Sequence, residues 1–171
     1  LTETSSLSSM ELSEYNTIIM PGGSYREWNT SDVQKIKNWV QSGGTLIAMQ
    51  SAASWAARNE LGKTTYKKAP ETDSTLNFSY ADREKERRIH TISGAIFNTT
   101  PDITHPLCYG YTGNSLPVFK TGNSVAKPLN IKYAEPVKFA SQPLLSGFVS
   151  DKNLELIKNA TYYVPFQKAS K

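Results

Sequence analysis

An α/β fold, with a mostly parallel sheet and helices on both of its faces, is the prediction from the order of apolar segments in this chain of 171 residues. Two short apolar runs, Tyr15 to Met20 and Thr45 to Met49, are bounded by turn residues, as strands buried on both faces are. Each is followed by a segment of helical period that opens on polar cap residues and closes on glycine. The connections are short, and strand, helix, strand, helix joined in this way is the pattern of a parallel sheet covered by helices.

In order along the chain, residues Leu1 to Glu14 are Ser/Thr-rich and show no period. The first strand stops at Pro21-Gly22-Gly23. Ser31-Asp32-Val33-Gln34 has capping-box spacing, and Val33, Ile36, Trp39 and Val40 give the helix one apolar face, with Trp39 and Val40 inward. Gly43-Gly44 ends it, since glycine takes the left-handed position after a helix at no steric cost. After the second strand comes an Ala-rich helix from Ser51 to Leu61, with Gly62 as its stop. Lys63 to Ser74 reads as a hydrophilic linker, Asn77 to Arg88 as a charged helix, and Ile92 to Phe97 as a third core strand. Beyond Thr99 prolines recur, which predicts loops and short strands around Val118 and Val137, a helical turn from Asn153 to Lys158, and a last strand from Thr161 to Val164. Nothing before Tyr15 has the apolar strand and helix that usually open a doubly wound domain, so the chain reads as one domain, 1–171, lacking its first strand and helix and its last strand. One edge of the sheet is then expected to be open or covered by a partner chain.

Composition narrows the functions. The formal charge is +4, but the basic residues are spread out, and Arg83-Glu84-Lys85-Glu86-Arg87-Arg88 alternates in sign. That is the pattern of a solvated helix face, so no nucleic-acid partner is expected. No apolar run approaches the ~20 residues that span a bilayer, so no membrane partner is expected either. A single cysteine, Cys108, excludes an internal disulfide and a thiolate zinc cluster, and His90 and His105 lie far apart in the chain, so no metal site is expected.

Tyr15-Asn16-Thr17-Ile18-Ile19-Met20-Pro21-Gly22-Gly23 resembles the strand and Pro-Gly-Gly turn of class I glutamine-amidotransferase-like domains. Further along come 39–48 (WVQSGGTLIA), 92–97 (ISGAIF), 102–111 (DITHPLCYGY) and 143–148 (PLLSGF). Their order resembles the C-terminal amidotransferase-like domain of secreted zinc carboxypeptidases of the M14 type from the Bacteroidetes group. The resemblance runs from about Tyr15 to Val164. It implies a flavodoxin-like architecture, a secreted or periplasmic location, an upstream peptidase domain of the same parent chain as partner, and zinc held by that peptidase domain. Neither histidine here begins the family's His-x-x-Glu zinc pattern, so no cofactor is expected in this chain.

In amidotransferases a cysteine stands on a sharp turn between strand and helix, its thiolate favoured by the helix dipole. Here that place, after the strand ending at Met49, is taken by Gln50-Ser51, with no cysteine. Ser51 is a fallback nucleophile; its plainer reading is a helix cap. His105 precedes Pro106, as the amidotransferase base precedes a proline, but Leu107 stands where the family's acidic residue orients the imidazole, and Asp102 is the substitute at hand. Cys108 reads as a small buried hydrophobe before it reads as a nucleophile. Gly22 and Gly23 are positioned to cradle an anion with backbone N–H groups. Tyr25, Trp28, Tyr109 and Tyr111, with Trp55, are candidates to stack on a peptide or glycan, or to fill a core or interface. The expectation is a non-catalytic accessory domain that stabilises the peptidase or binds substrate or glycan. The alternatives are an amidotransferase-like or ThuA-like hydrolase using Ser51 or Cys108 with His105, and a stand-alone small-molecule or sugar-binding module.

Overall fold

A computed structural model describes residues 3–68, 79–129, 131, 133–158, 160 and 161. The chain is α/β, and its described residues pack as two compact units, 3–64 and 65–161. Within each unit only the described residues are discussed, and among them no helix is long and apolar enough to cross a membrane.

The first unit begins with two 3₁₀ turns, Thr4–Ser9 and Leu12–Glu14, in the stretch where the sequence shows no period. They form because Leu7 and Leu12 are buried in the core of this unit, while Lys35 Nζ donates to the Leu7 and Ser8 carbonyls. Strand β1 (Thr17–Met20) pairs in parallel with β2 (Thr45–Ala48), Thr17 opposite Thr45 and Met20 opposite Ala48. Helix α1 (Thr30–Gln41) makes the crossover between them, and α2 (Ser51–Arg58) follows β2. Met20, Ile36, Trp39, Val40, Leu46 and Ala52 close the core, with Trp39 and Val40 facing inward as predicted. β1 departs from the expectation of a strand buried on both faces: Met20 is buried but Ile19 is 60% exposed.

Two cap assignments also shift. The capping box of α1 is Asn29 and Asp32, two residues before the spacing at Ser31. Asn29 Oδ1 accepts from the Ser31 and Asp32 N–H groups, and the Asp32 carboxylate accepts from the Asn29 N–H at 3.0 Å. The end of α1 is as predicted. Gly43 has φ +110°, its N–H donates to Val40, and the Gly44 N–H donates to Trp39, the paired bonds of a Schellman stop. Gly44 has a second reason to be glycine, since a Cβ there would meet the Trp39 ring at 2.3 Å. The stop of α2 is of the same kind, but its left-handed residue is Glu60 (φ +55°) rather than Gly62. The Leu61 N–H donates to Ala56 and the Leu61 side chain is buried, so that burial holds Glu60 in the left-handed position.

The second unit holds an antiparallel sheet in the order β4-β3-β5, made of Leu116–Lys120, Ala95–Pro101 and Val137–Ser146. Here the prediction of a mostly parallel sheet fails. The third strand lies at 95–101 instead of 92–97, and it alternates, with Ala95, Phe97, Thr99 and Pro101 buried and the residues between them more exposed. One covered face is the signature of an antiparallel strand. Among the described residues no α-helix lies between β3 and β4 or between β4 and β5, and parallel neighbours need such a crossover. Pro143, which lacks an N–H, falls where the β3–β5 register shifts between the Thr99–Phe139 and Phe97–Leu144 pairs.

Helices α3 (Arg83–His90) and α4 (Asp151–Ile157) complete this unit. Phe97 and Phe139 meet edge to face at 5.8 Å in a core with Ile92, Val118, Val125 and Ile157. Polar side chains satisfy the helix ends. Asn123 Nδ2 donates to the His90 carbonyl, Ser150 Oγ and Asn153 Nδ2 donate to Ile89, and Lys67 Nζ donates to the Leu156 and Lys158 carbonyls at the end of α4. The segment read as a hydrophilic linker therefore has a structural part: Tyr66 forms a bridge with Ala126, and Lys67 caps a helix. Thr161 bridges to Ala126 and Lys138, while 162–164 of the predicted last strand and 77–78 of the predicted charged helix lie outside the described residues.

Candidate functional site

The predicted elbow is built by local rules. β2 runs to Ala48, and the Met49 N–H still donates to the Met20 carbonyl, which carries the parallel pairing one residue past the strand. The chain then reverses into α2 at one residue, Gln50, with φ 52° and ψ −121°. A side chain at this combination is strained, and such residues are held by the structure around them. Here the restraints are the Met49 bond before the turn and, after it, the Ala52 N–H donating to Met49 and the Ala53 N–H donating to Gln50. Ala52 and Ala53 are buried, and their small side chains allow the helix to start this close to the strand.

This strained strand-to-helix turn is the backbone geometry of a nucleophile elbow, and the residue at its apex is Gln50, not Ser51. A carboxamide is no nucleophile. Gln50 lies against the Pro-Gly-Gly turn instead: a Cβ on Gly22 would sit 2.2 Å from Gln50 Oε1. Ser51 is the first helical residue and caps nothing; Gln50 is the N-cap and makes no side-chain cap bond. The Ser51 hydroxyl clamps the neighbouring turn, accepting from the Gly23 N–H at 2.9 Å and donating to the Gly23 carbonyl at 2.9 Å. The Gly23 N–H that would stabilise an anion is thereby occupied, and the nearest hydroxyl has its proton committed to a carbonyl.

Behind this turn, Tyr25, Trp28 and Trp55 form a mutual cluster with ring centroids 4.9 to 5.6 Å apart. Tyr25 is buried, its hydroxyl donates to the Pro21 carbonyl at 2.6 Å, and burial pushes its pKa up. Trp28 Nε1 donates to the Thr4 carbonyl. These rings pack in or against the core of the first unit, and the polar tips of Tyr25 and Trp28 are satisfied by backbone.

The other candidates stand in the second unit, on the loop between β3 and β4. His105 is the cap of a 3₁₀ turn, Pro106–Cys108. Its Nδ1 accepts from the Leu107 N–H at 3.2 Å, so Nε2 carries the proton and donates to the Tyr133 carbonyl at 3.1 Å. Backbone groups thus orient the ring, and the tautomer is set without the family's acidic residue. Asp102 does not take that part. Its Oδ1 accepts from the Thr104 hydroxyl and N–H, which hold its carboxyl below the usual range. Cys108 is buried, with Sγ 3.7 Å from the Pro136 carbonyl. Burial first, and the Asp102 charge second, push its thiol up, the reverse of an activated cysteine.

Tyr109 and Tyr111 are exposed on the same loop. Sequence reading did not include Tyr133, an exposed residue with φ +62° on the neighbouring loop. No local signal in the sequence singles out Tyr133, which lies outside the uncharged run from Ile103 to Phe119 that holds Tyr109 and Tyr111. His90 ends α3 beside a shallow cavity of about 580 Å³ lined by Tyr80, Arg83, Glu84, Arg87 and Thr91, whose charges are mixed. Among the described residues no group of three or more His, Cys, Asp or Glu side chains is placed to hold a metal ion.

Comparison of the chain with protein families, with curated proteins and with solved structures finds no match.

Proposed function

We propose that this chain is a non-catalytic accessory domain of the amidotransferase-like type, carried by a secreted or periplasmic zinc carboxypeptidase. Its activity-bearing partner is then the upstream peptidase domain of the same parent chain, and the zinc belongs to that domain. In this reading β1, α1, β2, the elbow and α2 are the remnant of a flavodoxin-like parallel sheet. The observation that carries the proposal is Gln50 at the apex of the strained turn between β2 and α2. An elbow costs stability and is retained where the surrounding structure demands it. With a carboxamide at the apex it supplies no nucleophile, and the Ser51 hydroxyl fills the adjacent N–H of Gly23.

The test is hydrolysis. The purified chain is assayed for ammonia release from glutamine and for cleavage of p-nitrophenyl esters, beside Ser51→Ala, Cys108→Ala and His105→Ala. All four proteins should stay at the buffer rate. In the parent chain, Gln50→Ala should leave the kcat/KM of the carboxypeptidase unchanged. Hydrolysis above background that disappears in Ser51→Ala or Cys108→Ala would overturn the proposal and establish the hydrolase.

A further inference from the structure

We propose that two copies of this chain pair through the outer face of the antiparallel sheet, where Ile96, Phe119, Leu145 and Phe148 stand together. The surface lies wholly in the second unit, so it stands or falls separately from the non-catalytic reading, which rests on Gln50 in the first.

The face follows from the alternation of β3. Ala95, Phe97 and Thr99 are buried, so Ile96 and Asn98 point outward. Phe119 is directly opposite Ile96 on β4. On β5, Leu145 is the extra residue of the bulge between the Ile96–Ser146 and Phe97–Leu144 pairs. Phe148 follows Gly147, which packs so closely that a Cβ there would lie 3.0 Å from the Ala95 Cα. The Phe119 ring lies over Gly94, where a Cβ would meet it at 3.0 Å. The four side chains therefore gather at one end of the sheet. All are exposed, Phe119 by 67%, Phe148 by 60%, Leu145 by 53% and Ile96 by 40%. A cluster of large exposed apolar side chains marks an interaction site.

Edges, charge and area together select a second copy as the occupant. A partner that adds a strand needs an open ladder, but β4 and β5 are the outer strands and each carries a proline, Pro117 and Pro143. Thr161 also bridges to Lys138 on β5. Contact is thus directed to the face. No Asp, Glu, Lys or Arg occurs at 94–101, 116–119 or 139–150, whereas a nucleic acid or a charged peptide would call for ionised groups. The nearest cations on the strands are already engaged: Lys120 Nζ donates to the Thr121, Gly122 and Ser124 carbonyls, and Lys138 pairs with Glu135 at 3.3 Å.

A two-fold axis across the strands at the level of Ile96 makes this face its own complement, with Phe119 set against Phe119. Lys138 is opposite Thr100, four residues along β3 from Ile96. The two copies of Lys138 then lie ~26 Å apart along the strands, well beyond the ~8–10 Å over which salt leaves charges coupled. The four apolar side chains expose on the order of 400 Å² per copy. With Asn98, Pro117 and Ser146 beside them, two paired faces bury roughly 1,000 Å², the minimum for a specific interface. That area fits a reversible, concentration-dependent pair.

The test is sedimentation velocity of the full chain, loaded from about 10 to about 500 μM, where an interface of this size associates. The expected result is a weight-average sedimentation coefficient that climbs from the monomer value towards the dimer value. Phe119→Asp and Phe148→Asp should each raise the dimer dissociation constant about tenfold or more. Tyr109→Asp, at an exposed ring on the loop beyond the other end of β3, should leave it unchanged. Because the two-fold sets Phe119 against itself, an equimolar mixture of Phe119→Asp and Phe119→Lys should dimerise, although neither does so alone. That rescue also shows that both variants are folded. A monomer at every concentration overturns the proposal and leaves the face to a different protein. A dimer that survives in the Phe119→Asp/Phe148→Asp double variant overturns it too. So does a mixture that fails to associate while both variants melt as the parent protein does.

Discussion

Replacing Gln50 by glycine should stabilise the protein, although the change deletes a side chain. The residue sits at φ 52° and ψ −121°, where a side chain clashes with its own backbone and glycine does not. Strain of this kind is worth about 1–3 kcal/mol. Glycine returns about 0.5–1 kcal/mol of that through the greater freedom of the unfolded chain. Gln50 is exposed and makes no helix-cap bond, so little else is lost. The net gain is on the order of 0.5–2 kcal/mol. Gln50→Ala keeps the strain and should lie within about 0.5 kcal/mol of the parent protein, the ordinary range for exposed sites. Gln50→Val, branched at Cβ, should lose about 1 kcal/mol or more. Gly22 supplies a second handle, because a Cβ there would meet Gln50 Oε1 at 2.2 Å. Gly22→Ala should therefore cost more in the parent protein than in the Gln50→Gly background, a coupling that a double-mutant cycle reads directly. The assay is equilibrium urea unfolding of each variant, with the slope of the transition checked for constancy. Loss of more than about 1 kcal/mol in Gln50→Gly, with Gln50→Ala neutral, would show that backbone strain does not define this turn.

Four further outcomes are expected. Glu60→Gly should stabilise by up to about 1 kcal/mol in the same urea assay, since Glu60 holds a left-handed stop (φ +55°) and its ion pair with Lys37 is exposed. Gly44→Ala should cost about 2–4 kcal/mol: its Cβ would displace the buried Trp39 ring, which also loses its bond from Nε1 to the Tyr15 carbonyl, and a smaller residue at 39 should recover part of the loss. Ser51→Ala should cost on the order of 1 kcal/mol through the lost clamp on Gly23, with no loss of a helix cap and no change in hydrolysis. Two titrations should appear in stability against pH. The Cys108 thiol is raised on folding, so the folded state holds its proton longer than the unfolded state, and stability should fall as pH rises above the ordinary thiol range, an effect absent in Cys108→Ala. Glu135 is lowered on folding: burial opposes this, but the Thr161 hydroxyl, the Leu129 N–H and Lys138 outweigh it. Its contribution should be present above about pH 4–5 and lost as pH falls further, and Glu135→Gln should flatten that acid limb.

The sequence by itself determined the βαβα stretch of the first unit. Its signals are local: an apolar run of strand length, a turn of Pro21-Gly22-Gly23, one apolar helix face through Ile36, Trp39 and Val40, and a glycine stop. Each depends on residues within a few positions, so chain order alone carries them. The turn from β2 into α2 was legible to within one residue, as Gln50-Ser51, from the place where the strand had to end. Tertiary structure decided which of the two stands at the apex, because that is a backbone torsion set by Met20, Met49 and Ala52 together. It also decided that the third strand joins an antiparallel sheet. The run at 92–97 has the composition of a buried strand, and its partners, Leu116–Lys120 and Val137–Ser146, are identified only by contacts far along the chain. The same holds for Glu60 in place of Gly62, where burial of Leu61 outweighed the local preference for glycine. It holds too for Tyr133, whose place beside His105 follows from the register of β3 with β5 and from no spacing in the sequence.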